Sequence, residues 1–106
     1  MVVDSDALLR AKLNAETGRL AWKELERHFA RGSVISVAPG MDLVEVALSI
    51  ARDDKAAIAA WLADQRVKRA DSEDALAWHE RDAQFWAVVT APWVLVQEIA
   101  ESDSAT

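Results

Sequence analysis

The carboxyl-terminal stretch from residue 85 to residue 99 limits most strongly what this chain can fold into. Its sequence is FWAVVTAPWVLVQEI, and it carries no charged residue before Glu98. β-Branched and aromatic residues at this density fit a buried, pleated surface better than a helix. We therefore predict a core strand here, or two strand segments that meet at Pro92, inside a small α/β domain.

Pro92 argues against one straight strand through this stretch. Fifteen residues in one strand would span about 50 Å, whereas a compact chain of this length has a diameter of roughly 33 Å. Proline also lacks the N–H group that a central strand donates to its neighbour. A bend or break at Ala91-Pro92 resolves both conflicts. A second arrangement stays open, in which a strand over 85–90 is followed by a short helix with Pro92 in its first turn.

The composition indicates one small domain with an acidic surface. The 106 residues carry a formal net charge of −6. Such a chain repels phosphate backbones and anionic lipid, so we expect neither a nucleic-acid partner nor a membrane role. The absence of cysteine excludes disulfides, thiolate metal ligands and cysteine nucleophiles. Neither a signal peptide nor a membrane-spanning run is evident, so we expect a soluble cytoplasmic protein.

The amino-terminal third has the spacing of helical residues. We predict a frayed segment over 1–5, followed by one long helix over about 6–31 in which leucines recur at near-helical intervals. Gly32 is a natural end for this helix. Gly18 lies in its interior, where glycine costs about 1 kcal/mol, so it marks a close helix crossing, a kink or a break into two helices.

The remaining elements are short and are bounded by turn and capping residues. A strand over 33–38 precedes a helix over 43–52, for which Asp42 and Glu45 stand at the positions of a capping box. This helix is apolar nearly all round, so we expect it to lie between the sheet and another helix or another subunit. The next helix, over 55–65, has a core stripe of Ile58, Trp61 and Leu62. An edge strand over 66–70 and a helix over 73–82 lead to the core strand. We expect a disordered tail over 100–106.

The order of these elements predicts the α/β (α+β) class. Strands that are separated by helices need crossover connections, which make at least part of the sheet parallel. We predict a single domain over 6–99, with a three- to four-stranded mixed sheet. About four helices, including the long amino-terminal one, should cover it.

Four segments taken in order resemble one protein family. They are LRAKLNAETGRLAWKELERHFARG, SVISVAPGMDLVEVALSIARDD, AAWLADQRV and AVVTAPWVLVQE. Their order and spacing resemble the small bacterial family catalogued as domain of unknown function 2288, over about residues 8–98. The resemblance implies a bacterial, soluble, stand-alone domain. It implies no activity, and no catalytic residue carries over from it.

Two groups of polar residues are candidates for a catalytic or metal site. His79, Glu80 and Asp82 combine an imidazole with two carboxylates, which a general base or a metal site requires. Their spacing matches no known ligand pattern, and a solvated helix face is the explanation that we favour. Asp42 and Glu45 have the chemistry to bind a hard cation, but the capping box accounts for both. We therefore predict no cofactor and no metal.

Five tryptophans in so short a chain are the best lead to a function. Tryptophan is enriched at interaction hot spots, although core filling is the other explanation. We assign an interaction surface to Trp22, Trp61, Trp78 and Trp93. The resulting hypothesis is a non-enzymatic binding or assembly module, with a second copy or another protein as its partner. The alternative is a small enzyme or metal-dependent protein that uses His79 with nearby carboxylates.

Overall fold

The computed structural model describes residues 5–99, which form five helices and five strands. The helices are α1 (Ser5–Glu16), α2 (Trp22–Ala30), α3 (Leu43–Ala51), α4 (Lys55–Ala63) and α5 (Ser72–Arg81). The strands are β1 (Gly18–Ala21), β2 (Val34–Val37), β3 (Val67–Arg69), β4 (Gln84–Thr90) and β5 (Trp93–Glu98).

The strands form one mixed sheet in the order β1-β4-β5-β2-β3. β2 and β5 pair parallel, and the other three pairs are antiparallel. The predicted class and the partly parallel sheet are confirmed. The predicted numbers of strands and helices were too low. Within residues 5–99 the sheet has five strands and is covered by five helices. The strand predicted over 66–70 is confirmed as β3, which is short and lies at a sheet edge.

The carboxyl-terminal stretch forms two strands that meet at Pro92, as predicted, and the alternative of a strand followed by a helix is wrong. β4 and β5 pair antiparallel on either side of a turn that contains the cis peptide bond Ala91-Pro92. Val88, Val94 and Val96 are all buried. A hairpin satisfies the backbone groups of both strands and keeps the proline out of the ladder.

The single long helix over 6–31 is wrong, whereas the break into two helices, one of the alternatives left open at Gly18, is confirmed. α1 ends at Glu16, and Gly18 begins β1 rather than lying in a helix interior. The Thr17 hydroxyl donates to the Leu13 carbonyl at 2.8 Å, which closes the last turn of α1. β1 then pairs with β4, so that Leu20 lies opposite Phe85. Pairing with the seven-residue strand β4 outweighs the helical spacing of the leucines in this segment.

The sheet separates two apolar cores, because successive side chains of a strand point to opposite faces. Leu95 belongs to the first core and its neighbours Val94 and Val96 to the second. α1, α3 and α4 cover the first face, and α2 and α5 cover the second. The first core consists of Leu13, Val37, Leu43, Val46, Ala47, Leu48, Val67, Val88 and Leu95. The second consists of Trp22, Leu25, Val34, Trp78, Ala83, Phe85, Val94 and Val96.

Both predicted chain ends fall largely outside the described residues. The frayed segment was predicted over 1–5, of which only Ser5 is described, and it begins α1. The tail over 100–106 is not described at all. Among the helices within residues 5–99, none is both long and apolar enough to cross a membrane.

Candidate functional site

α3 is the helix that we expected to lie between the sheet and another helix or subunit. Four of its residues, Leu43, Val46, Ala47 and Leu48, are buried. It contacts α1 and α4 as well as the central strands β4 and β5. Within residues 5–99, the chain itself therefore covers most of the apolar surface of α3.

The two carboxylates at the start of α3 hold structural positions. Asp42 caps the helix by accepting hydrogen bonds from the backbone N–H groups of Val44 and Glu45 at 3.0 and 3.2 Å. Glu45 does not complete a capping box but instead accepts two hydrogen bonds from the Arg10 guanidinium of α1. These hydrogen bonds lower the pKa of Glu45 below its usual value, because they stabilise the carboxylate. The Arg10–Glu45 pair thus fastens α1 to α3.

An open cleft of about 370 Å³ lies between α1 and the beginning of α3. Its volume falls within the range of small-ligand sites, which is roughly 300 to 1,000 Å³. The charged groups that line it already bind each other or the backbone, as the Arg10–Glu45 pair and the Asp42 cap show. A ligand would have to displace these contacts. The lining residues are Ala7, Arg10, Ala11, Asn14, Asp42, Val44 and Glu45.

His79, Glu80 and Asp82 do not converge with the carboxylates of α3. All three are exposed at the end of α5, where Asp82 is the left-handed residue that closes the helix. α5 covers the second face of the sheet, whereas Asp42 and Glu45 lie on the first. Within residues 5–99, no three histidine, cysteine or acidic side chains come together in a group that could hold a metal ion.

The start of α5 is fixed by a capping box and a lysine. Asp71 accepts the backbone N–H of Asp74 at 2.9 Å, and Asp74 accepts that of Asp71 at 3.1 Å. The Asp74 N–H, and then the Lys68 ammonium, lower the pKa of Asp71. Hydrogen bonds to Asp74 and Asp71 raise the pKa of Lys68. These charges stabilise the start of α5.

The polar residues at the end of β5 also have structural partners. The Gln97 amide donates to the carbonyl of Ala38 at 2.9 Å and to that of Met41 at 2.7 Å. Glu98 accepts a hydrogen bond from Arg81 of α5 at 2.6 Å. DLVEVA and PWVLVQE are parts of the second and fourth segments that resemble the family. Their polar residues Glu45, Gln97 and Glu98 join neighbouring elements of the fold.

Trp22 and Trp78, two of the four predicted interaction residues, lie in the second core. Their rings are tilted against each other at 6.0 Å, and Trp78 meets Phe85 edge-on at 5.0 Å. The Trp22 indole N–H is buried and meets no acceptor among residues 5–99. Both rings fill the core and leave no surface for a partner. Sequence alone could not separate these buried tryptophans from exposed ones.

Trp61 and Trp93 are half-buried against the first core. The Arg69 guanidinium lies over the Trp93 ring at 5.5 Å. Trp86, which we predicted only as part of a core strand, is 43% exposed. Arg19 of the edge strand β1 lies over its ring at 5.8 Å. A cation over the face of the ring shields part of it from water.

The outward side of α4 is an apolar helical surface that is exposed within residues 5–99. Every residue of α4 except Lys55 is apolar, yet none is buried. Leu62, which the spacing placed in the core stripe with Ile58 and Trp61, is 49% exposed. The outward face of α4 consists of the exposed residues Ala56, Ala59, Ala60, Leu62 and Ala63.

Comparisons with known proteins agree with the fold. In a search of solved structures, the chain matches the NMR solution structure of PA1075 from Pseudomonas aeruginosa with a TM-score of 0.80 and 42% identity. The match covers 96% of this chain and 94% of that one. A search of curated proteins gave no significant match.

The family suggested by the sequence segments is confirmed. The profile described as "Protein of unknown function (DUF2288)" matches residues 8–98, which span both edge strands and all three layers of the fold. On this evidence, the chain belongs to the DUF2288 family of proteins of unknown function.

Proposed function

We propose that the protein is a non-enzymatic assembly module that self-associates through the outward face of α4. The observation that carries this proposal is an apolar helix without a single buried residue. A helix that is apolar on all sides is normally enclosed by other elements. Covering its outer side would remove apolar surface from water, which favours association.

The composition of this face suits contact with another helix. Alanines at positions 56, 59, 60 and 63 recur at intervals of three and four residues, so they share one side of α4. Small side chains there allow a second helix to approach closely. Helix propensity alone would explain the alanines, but it does not explain the exposure of Leu62, which gains nothing by facing water.

The polar candidates give less support to an enzymatic function. His79 lies on the opposite face of the sheet from Asp42 and Glu45, and those two carboxylates hold α3 in place. A general base and its partners must converge within hydrogen-bonding distance of one substrate. Assembly needs no such convergence and uses an apolar helical face that is exposed within residues 5–99.

The size of the face sets the expected strength of association. α4 has nine residues, so its axis is about 13 Å long. Such a contact is smaller than a standard interface, which buries roughly 800 Å² on each partner. We therefore expect a reversible dimer with a Kd of about 1 μM or weaker.

Sedimentation velocity over a range of protein concentrations tests this proposal. We expect the wild-type chain to form a dimer reversibly as its concentration rises. Ala59→Glu places a charge at the centre of the face and should keep the chain monomeric. Glutamate is a good helix former, so this variant should fold normally, which a thermal melt checks.

Leu76→Glu is the matched control. Leu76 is 60% exposed on α5, on the other face of the sheet, so this change also replaces an exposed apolar side chain by a carboxylate. It should leave the dimer intact. A wild-type chain that stays monomeric up to about 1 mM, or a dimer lost in L76E but kept in A59E, would contradict the proposal.

A further inference from the structure

We infer that the acidic segment, residues 100–106, folds back onto the first face of the sheet, where its carboxylates bind Arg19 and its backbone covers Trp86. This inference goes beyond self-association and does not depend on α4. Trp86 is 43% exposed, more than any other aromatic side chain within residues 5–99. The segment has the sequence AESDSAT, in which Glu101 and Asp103 are the charged side chains.

Arg19 and Trp86 form an exposed surface on the β1 side of the sheet. Arg19 pairs with Trp86, and Trp86 pairs with Gln97 of β5, so the three side chains lie in one row across the sheet. Val88, two residues beyond Trp86, belongs to the first core, which places this row on the first face. The Arg19 guanidinium lies over the Trp86 ring at 5.8 Å. A chain that crosses this row therefore meets the ring and the guanidinium together.

The acidic segment begins one strand away from Trp86. The Ile99 N–H donates to the Gln84 carbonyl at 2.9 Å, so the chain keeps its register with β4 up to this residue. Standard strand spacings put the Cα atom of Ile99 about 8 Å from that of Trp86 and about 12 Å from that of Arg19. Seven extended residues span up to about 23 Å. Residues 100–106 are therefore long enough to turn back and reach both side chains.

The charges around this surface leave Arg19 available to a carboxylate. The other residues of β1 and β4 are uncharged, and Arg19 forms no ion pair within residues 5–99. Asp42 and Glu45, on the same face, already accept hydrogen bonds from α3 and α1. Lys12 and Glu16 lie one turn apart at exposed positions of α1, where their opposite charges offset each other.

Docking combines a charge-assisted hydrogen bond with the burial of an aromatic ring. A guanidinium that stacks on a ring keeps its N–H groups in its own plane, so Arg19 can donate to Glu101 or Asp103 without leaving Trp86. The backbone beside these carboxylates covers the ring and removes apolar surface from water. Because exposed ion pairs are weak, the docking is reversible.

The docked segment also shields one edge of the sheet. β1 is an end strand and has no strand on its outer side within residues 5–99. An open edge of this kind can pair with a strand of another molecule. A segment that is held across Arg19, inside this four-residue strand, obstructs such pairing. The acidic segment therefore acts as a cover that keeps this edge from non-specific association.

Protection of the Trp86 indole from a soluble paramagnetic agent tests this inference. A neutral gadolinium chelate broadens the NMR peaks of exposed groups, so the Trp86 indole peak of the wild-type chain should be partly protected at low salt. Glu101→Gln/Asp103→Asn removes both carboxylates. The ratio of docked to undocked chains should then fall about two- to fivefold, the size expected for an exposed ion pair, and the broadening of this peak should increase.

Glu73→Gln/Glu80→Gln is the matched control. Both glutamates are exposed on α5, on the other face of the sheet, and their replacement changes the net charge by the same amount. This variant should leave the broadening of the Trp86 peak unchanged.

A charge exchange tests whether Arg19 is the residue that holds the segment. Arg19→Glu should increase the broadening of the Trp86 peak. Combining it with Glu101→Lys and Asp103→Lys restores opposite charges and should return the protection. A thermal melt verifies that each variant folds.

Three results would overturn the inference. The first is equal broadening of the Trp86 peak in the wild type and E101Q/D103N, and the second is a failure of R19E/E101K/D103K to recover the protection. The third is protection that grows with protein concentration, because a second copy would then supply the segment. The inference predicts protection that is the same at low and high concentration, is reduced by neutralisation and returns in the charge-exchanged variant.

Discussion

Gln97 shows how a single polar residue at the end of a strand can position a helix. Its amide N–H groups donate to the carbonyls of Ala38 and Met41, in the loop that leads into α3. A loop carbonyl that is half-buried needs such a donor, because an unsatisfied polar group costs about 1 to 3 kcal/mol. The two hydrogen bonds of Gln97 therefore give this residue a structural role.

At the residue scale, we expect the burial of a side chain to determine how much its truncation lowers the free energy of unfolding. Leu95 is fully buried at the centre of the sheet, so Leu95→Ala should lower the free energy of unfolding by about 2 to 5 kcal/mol. Val89 lies on the neighbouring strand and is 59% exposed, so Val89→Ala should change it by no more than about 0.5 kcal/mol. Urea denaturation at pH 7 measures both. Equal losses in the two variants would contradict the assigned core.

The elements differ in how clearly their residues predict them. α3 has an aspartate cap and β5 a dense run of buried residues, and both were predicted. α2 begins at Trp22 after Ala21, which makes no side-chain capping bond, so no signal marked its start. β1 has only four residues and depends on pairing with β4. Its existence follows from tertiary contact, which local spacing does not contain.

Sequence also could not predict the outward face of α4, because its exposure depends on tertiary contacts. The spacing of Ile58, Trp61 and Leu62 correctly predicts a helix, but two sides of an apolar helix cannot be told apart from composition. Only the position of α4 beside α3 and β3 shows which side is covered. The exposure of the tryptophans could not be predicted for the same reason. Trp22 is buried and Trp86 is exposed because of how the helices cover each face of the sheet.

At the element scale, the contact between α1 and α3 should depend on pH. The pKa of Glu45 is lowered in the folded protein. The stabilisation is therefore complete above the unfolded value of about 4.5 and is lost as the pH falls through the folded pKa. Glu45→Gln should cost no more than about 1 kcal/mol at pH 7, because the pair is exposed. The difference in the free energy of unfolding between this variant and the wild type should become smaller at acidic pH.

Urea denaturation at pH 7 and at pH 3 measures this dependence. Glu26→Gln on α2 is the control, because Glu26 is exposed on the other side of the sheet. A wild type and an E45Q variant that lose the same stability between the two pH values would show that the Arg10–Glu45 pair does not join the helices.

The whole molecule has a three-layer arrangement in which a single sheet is enclosed on both faces. The polar residues singled out by sequence are spread over both sides of this sheet and mostly fasten one layer to the next. The apolar side chains are enclosed, apart from scattered exceptions and the outward face of α4.

A comparison of ¹⁵N–¹H NMR spectra of the wild-type chain at low and high concentration tests the role of α4 most directly. The account predicts that peaks from residues 53–66 shift as the concentration rises, while those of β1 and the Trp86 indole stay fixed. Spectra that do not change, or shifts that centre on β1 or Trp86, would contradict it.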